Sequence, residues 1–419
     1  MSRSFRDAIL RIPVVFVLAL LIAGCVDMSR LDAVPADAKE DVTISGMKDI
    51  RYWGDEASTL MINDAVQAYQ REVDLDKASG GKGDLPPAQF LAISGGGENG
   101  AYGAGMLVGW TKTGTRPNFK LVTGISTGAL TAPFAFLGPA YDSQLQDVYT
   151  TLSGKDVMQP RGYIAIVTGD AAADNTPLHR TVAKYFNQSM LEAIAAEHAK
   201  GRILLVATTN LDARRPVIWN ITKIAASGNP NALKLVQDIL VASAAIPGAF
   251  PPVMIDAEIN GKKYQEMHVD GGASAQVFVY PPGLSRETAG LSEQQRERQR
   301  RVYVIRNARL DPEWAQVERA IFGIVDRSIT SLIQTQGIGD LYRIYLATQR
   351  DQIDFNLAYI PETFTRTLNE PFETAYMQDL FRVGYDLAIK GYPWAKVPPG
   401  FTAPQVEPPV GTQPVTSRR

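Results

Sequence analysis

"KLVTGISTGAL", residues 120–130, decides how this chain is read. An apolar run leads into Gly124, and a helix-forming run (127–137) leads out. Between them Ser126 stands in G-x-S-x-G, flanked by Gly124 and Gly128. Strand, sharp turn and helix are the context that lifts a serine to the edge of a sheet as a nucleophile. The glycines suit such a turn because crowded backbone leaves no room for a Cβ. The helix that follows aims its N-terminal dipole at the serine.

Immediately upstream lies "AISGGGENGAYGAG", residues 92–105. Gly95, Gly97 and Gly100 match G-x-G-x-x-G, a fingerprint of dinucleotide-binding turns. That reading also wants an acidic residue about 20 positions further on, to hold the ribose. No Asp or Glu occurs between Glu98 and Asp142. If Ser126 attacks a carbonyl, however, an oxyanion forms and needs fixed backbone N–H donors. Residues 95–97, following a neighbouring strand, are placed to supply them. Tyr102 and Trp110 further on read as core.

Beyond these two stretches, short apolar runs (90–93, 202–209, 217–221, 301–307) alternate with helical patterns. Such alternation predicts a mostly parallel sheet with helices on both faces, a three-layer α/β/α fold. Residues 313–350 and 370–391 are helical by spacing. Within them "FGIVDRSITSLI" (322–333) reads as core packing. The charge run at 288–301 reads as a solvated surface insertion.

Composition narrows the chemistry. The chain has 419 residues, 45% apolar and 21% charged, with a net charge of −2. Nothing there suggests nucleic acid. Only three histidines are present, His179, His198 and His268, which limits both a metal site and a Ser-His-Asp triad. The most suggestive setting for a base is "EMHVDGGAS", residues 266–274. On a strand His268 and Asp270 face one side, and Gly271 and Gly272 then turn the chain.

Taken together these motifs resemble the patatin-like phospholipases. That family carries a G-G-G-x-x-G loop, a G-x-S-x-G serine and an aspartate in D-G-G or D-G-A, in this order. "ASAAIPGAFPPV" (242–253) is similar to its proline block, and 207–219 and 175–182 to weaker blocks. The resemblance covers about residues 88–310. It implies Ser126 as nucleophile, Asp270 as general base, and Gly95, Gly96 and Gly97 as oxyanion hole. Gly100, Gly124, Gly128, Gly271 and Gly272 support the motifs. Histidine is not needed, and His268 reads as a strand residue. Ser94, Asn99 and Thr127 depart from the family pattern, where aspartate, a basic residue and alanine are usual. The implied function is a lipid acyl hydrolase working through an acyl-serine, without cofactor or metal. A non-catalytic envelope lipoprotein that binds acyl chains or a protein partner is the other reading.

The chain opens with Arg3, Arg6 and Arg11, an apolar run over 12–22, then Ala23, Gly24 and Cys25, its one cysteine. The run is short for a membrane span and fits a signal peptide. It resembles a bacterial lipobox, which implies a lipidated Cys25 and, with Val26 next, outer-membrane delivery. The expected organisation is a signal peptide (1–24), a tether and helix (25–87), a catalytic domain (88–310), a helical extension (311–392) and a proline-rich, disordered tail (393–419). Partners are a lipid or acyl-ester substrate and the membrane; the sequence leaves the oligomeric state open.

Overall fold

The computed structural model describes residues 30–38, 42–162, 165, 168–281, 283–285 and 297–402. The signal peptide, Cys25, most of the charge run and residues 403–419 lie outside them.

The chain enters through two short strands, β1 (Thr43–Ile44) and β2 (Arg51–Trp53). Helix α1 (Thr59–Ala78) follows, capped by Ser58, whose side chain accepts a 3.1 Å hydrogen bond from the Met61 N–H. Next come β3 (Ala88–Ile93), α2 (Gly100–Lys112), β4 (Leu121–Ile125), α3 (Thr127–Leu137) and α4 (Asp142–Thr151). A small excursion holds α5 (Gly154–Val157) and the paired strands β5 (Gln159–Pro160) and β6 (Ala173–Asp174). The chain returns through α6 (Thr176–Tyr185), α7 (Gln188–Ala199), β7 (Ile203–Asn210), β8 (Arg215–Asn220), α8 (Ile221–Ala226) and α9 (Ala232–Ser243). The hairpin β9 (Val253–Ile259) and β10 (Lys262–Asp270) precedes β11 (Arg300–Arg306), α10 (Ile321–Arg350), β12 (Asp354–Tyr359) and α11 (Thr374–Ile389).

The main sheet runs β1-β9-β10-β7-β4-β3-β11-β12, with β8 and β2 branching from β7. β7, β4, β3, β11 and β12 are mutually parallel. The hairpin joins them antiparallel. Side chains alternate between the faces. Leu91, Ile93, Val122 and Ile305 meet α2, α3 and α11 in the larger core, whereas Ala92, Val302 and Val304 meet α10. The result is a three-layer α/β/α sandwich around a mostly parallel sheet, as the alternation predicts. Tyr102 and Trp110 are both buried.

Register, rather than proximity in sequence, assembles the site. β4 runs parallel to β7 and ends with Ile125 opposite Ala207. β10 runs antiparallel to β7 and ends with Asp270 opposite Thr208, one residue on. Along β7, therefore, β4 and β10 arrive head to head, and residues 126 and 270 meet where they end. On the other side Ile93 of β3 pairs with Gly124, which brings the loop after β3 alongside the turn after β4.

Several segments depart from the sequence reading. Residues expected to tether instead pack on the body: β1 pairs β9, and Arg30 forms an ion pair with Asp212 at 2.8 Å. The expected tail is ordered at its start. Ala395 exchanges backbone hydrogen bonds with Leu357, and Trp394 packs on Trp110 and Tyr303, because an aromatic pair there covers the edge of the larger core. β12, inside the stretch read as helical, extends the sheet by pairing with β11. In the stretch read as core packing, Ile324, Val325, Ile329, Leu332 and Ile333 are exposed instead. No helix among the described residues is long and apolar enough to cross a membrane.

Candidate active site

Ser126 occupies the turn between β4 and α3 at φ 56°, ψ −129°. This conformation is unfavourable for a residue with a Cβ and is held only by its surroundings. The Ser126 N–H donates to the Ser243 hydroxyl at 3.0 Å, and that hydroxyl donates to the Ala207 carbonyl at 2.7 Å. Gly128 is obligatory, since a Cβ there would stand 2.2 Å from the Ile93 carbonyl oxygen.

Asp270 closes β10. Its N–H donates to the Ala245 carbonyl at 2.9 Å, and its Oδ1 accepts from the Gly272 N–H at 2.7 Å. The carboxyl is almost wholly buried. Burial pushes it up to about 7, against the opposing pull of hydrogen bonds from the Ser126 hydroxyl and the Gly272 N–H. A carboxylate in that range, facing a serine hydroxyl, is matched to proton transfer near neutral pH.

The loop after β3 faces the same point. The Gly95 N–H donates to the Gln276 carbonyl at 3.0 Å, so Gly95 does not offer the donor expected of it. Its part is steric: a Cβ on Gly95 would stand 3.1 Å from the Ser126 Cβ. Gly96 and Gly97 lie at φ 153° and 57°. At Gly96 a Cβ would strike the Asn307 carbonyl oxygen at 2.3 Å. Asn307, directly after β11, fixes the loop. It donates to the Ser94 hydroxyl and carbonyl at 2.8 and 2.9 Å, and its Oδ1 accepts from the Gly103 N–H at 3.1 Å. The three positions that depart from the family pattern are all engaged. Ser94 holds Asn307, Asn99 accepts from the Tyr376 hydroxyl at 2.7 Å, and Thr127 bonds the Tyr149 hydroxyl at 2.6 Å.

His268 takes no part. Trp219 Nε1 donates to the Thr208 hydroxyl at 2.8 Å, leaving that hydroxyl to donate to His268 Nδ1 at 2.9 Å. His268 Nε2 then donates to Glu266 at 3.0 Å. Both ring nitrogens are committed, and burial, the largest influence, lowers the pKa and favours the neutral ring. Neither His179 nor His198 lines the pocket at Ser126.

That pocket has a volume of about 900 Å³, open mouth included. Its walls are almost entirely apolar, among them Leu130, Phe134, Leu178, Val182, Phe250 and Met377, and Glu98 lines it along with Ser126. A volume of this order suits a ligand the size of a long acyl chain. Phe372 and Met377 show that residues beyond 311 help to build it. Sequence reasoning missed these walls, along with Ser243 and Asn307, since no motif marks a residue that acts by position alone.

Residues 91–281 match the family model of patatin-like phospholipases. This segment is a patatin-like phospholipase domain. It contains Ser126, Asp270 and the glycine loop. No curated protein sequence matches the chain. Among solved structures it is similar to VipD from Legionella pneumophila, at 14% identity over 73% of this chain and 66% of that one, TM-score 0.34. It is also similar to human GIVD cytosolic phospholipase A2, at 10% identity over 77% and 55%, TM-score 0.33. ExoU of Pseudomonas aeruginosa, in complex with SpcU, gives 12% identity over 73% and 52%, TM-score 0.28. The chain thus spans 66%, 55% and 52% of these three.

Proposed function

We propose that the chain is a lipid acyl hydrolase whose nucleophile is Ser126 and whose general base is Asp270. The observation that carries this is the meeting of a strained serine with a buried carboxyl poised near 7, beside an apolar pocket. Asp270 takes the hydroxyl proton as Ser126 Oγ bonds to the ester carbonyl carbon. The carbonyl electron pair moves onto oxygen, where the N–H groups of Gly96 and Gly97 stabilise it. As the tetrahedral centre collapses, the bond to the alcohol oxygen breaks and that oxygen takes the proton back from Asp270. Water then repeats the sequence on the acyl-serine, with Asp270 again as base, and frees a fatty acid.

The head group is unspecified by this geometry; phospholipid, lysophospholipid and neutral esters all present the same carbonyl. We infer further that a lipidated Cys25 holds the protein on the outer membrane, which brings the enzyme to its substrate. The test is fatty-acid release from phosphatidylglycerol micelles and from a soluble p-nitrophenyl ester. Wild type should hydrolyse both and Ser126→Ala neither; equal turnover by the two proteins would end the proposal.

A further inference from the structure

Helix α10 is longer than the strand it covers. Its 30 residues rise about 45 Å at 1.5 Å each, and the seven residues of β11 span about 23 Å. The surplus lies at one end. Leu341, Ile344 and Tyr345 pack on Val302 and Val304, and Gly337 lies against the guanidinium of Arg306, the last residue of β11. Gln336 accepts from Gln276, and Gln334 reaches the Arg309 carbonyl. Residues 321–333 therefore project past the edge of the sheet where Ser126 stands.

The projecting part exposes large apolar side chains. Trp314 and Leu332 are 89% and 69% exposed, and Val317, Ile324, Val325 and Ile329 are exposed with them. On the helix the exposed apolar residues lie within about half the circumference, with Thr330 and Ser331 exposed on the rest. Soluble proteins rarely leave such a surface uncovered. Its position narrows the occupant. Glu98 and Met377 line the pocket, and their neighbours Asn99 and Tyr376 are joined by a 2.7 Å hydrogen bond. The Tyr376 ring packs on Phe364, whose carbonyl accepts from Arg309, and Arg309 pairs with Glu313 at 3.7 Å. Trp314, next in the chain, thus begins the apolar segment on the pocket's side of the molecule. The N-terminus leaves from the same end. Arg30 binds Asp212, which lies just past the catalytic end of β7, and also the Gln265 carbonyl. From Arg30 back to Cys25 the chain can reach about 17 Å at most.

The geometry points to a lipid bilayer as the occupant of this surface. The loop carrying Trp314 and the projecting half of α10 lie in the headgroup interface, apolar stripe inward, and turn the pocket mouth toward the membrane. The inference rests on the lipid-hydrolase reading, because continuity with the acyl pocket selects a bilayer over a protein partner.

The test uses the full-length chain with Cys25→Ser, so that no acyl anchor or second thiol is present. A nitroxide is attached at Leu332→Cys or, as reference, at Leu346→Cys, which is exposed on the half of α10 that covers the sheet. Vesicles of phosphatidylethanolamine and phosphatidylglycerol are added. The label at 332 should become open to oxygen and shielded from an aqueous nickel chelate, while that at 346 stays in water. A label at 332 as open to nickel as that at 346 would overturn the inference. So would spin–spin broadening at 332 without vesicles, which would assign the surface to a second copy of the chain. In parallel, Ile329→Glu with Leu332→Glu should cut hydrolysis of vesicle lipid by about tenfold or more and spare a soluble ester. An equal loss on both substrates would contradict it. If wild type hydrolyses neither substrate, the catalytic reading fails, and the label still decides docking.

Discussion

At the scale of single residues, the account turns on one carboxyl. Burial dominates at Asp270, outweighing the hydrogen bonds from Ser126 and Gly272, and leaves it protonated below about 7 and ionised above. In the proposed mechanism the base is the ionised form. The kcat/KM of a soluble ester should therefore rise with pH through about 7 and level off above it. Asp270→Asn should abolish the rise and lower activity on the order of a thousandfold. A profile that is flat across neutral pH in wild type would contradict the assignment. Gly96 carries a second test. Its φ of 153° and the 2.3 Å approach to the Asn307 carbonyl leave no space for a methyl group. Gly96→Ala should lower kcat on the order of a hundredfold by displacing the oxyanion donors. Thermal unfolding measured alongside would show the body of the protein intact.

At the scale of elements, the site is made by strand ends. Ser243, at the end of α9, ties the turn after β4 to β7 through Ser126 and Ala207. Ser243→Ala strands two buried polar groups, and should cost about 1–3 kcal/mol in denaturant titration. An unchanged midpoint would show that this tie is dispensable. What the sequence reveals follows the same division. Ser126 and Asp270 are legible because a nucleophile turn and a D-G-G turn need glycines at fixed offsets. The five parallel strands mostly announce themselves as apolar runs; β12 hides in "DFNLAY", where buried Asn356 breaks the pattern. Gly103 and Gly105 stand within α2. A Cβ on Gly105 would meet the Phe381 carbonyl oxygen at 2.0 Å, so it serves the close crossing of α2 and α11. The apolar spacing of 322–333 predicts burial, whereas that stretch overruns the sheet. Periodicity reports which face is apolar but not what covers it.

At the scale of the molecule, the parallel layer, the pocket and the projecting helix share one end. Pocket walls come from segments as distant in sequence as Leu130 and Met377, so the binding volume exists only in the complete fold. Its length should set acyl preference. Leu178→Trp, which adds bulk to the wall, should shift selectivity toward short acyl esters, read as the ratio of butyrate to palmitate hydrolysis. An unchanged ratio would place the acyl chain elsewhere.

The most direct measurement of the central claim is labelling with a fluorophosphonate, which reacts only with an activated serine. Wild type, Ser126→Ala and Asp270→Ala would be compared side by side, with peptide mapping of the adduct. The account predicts one adduct, on Ser126, in wild type alone. Labelling that persists in Ser126→Ala, or proceeds at the wild-type rate in Asp270→Ala, would contradict it.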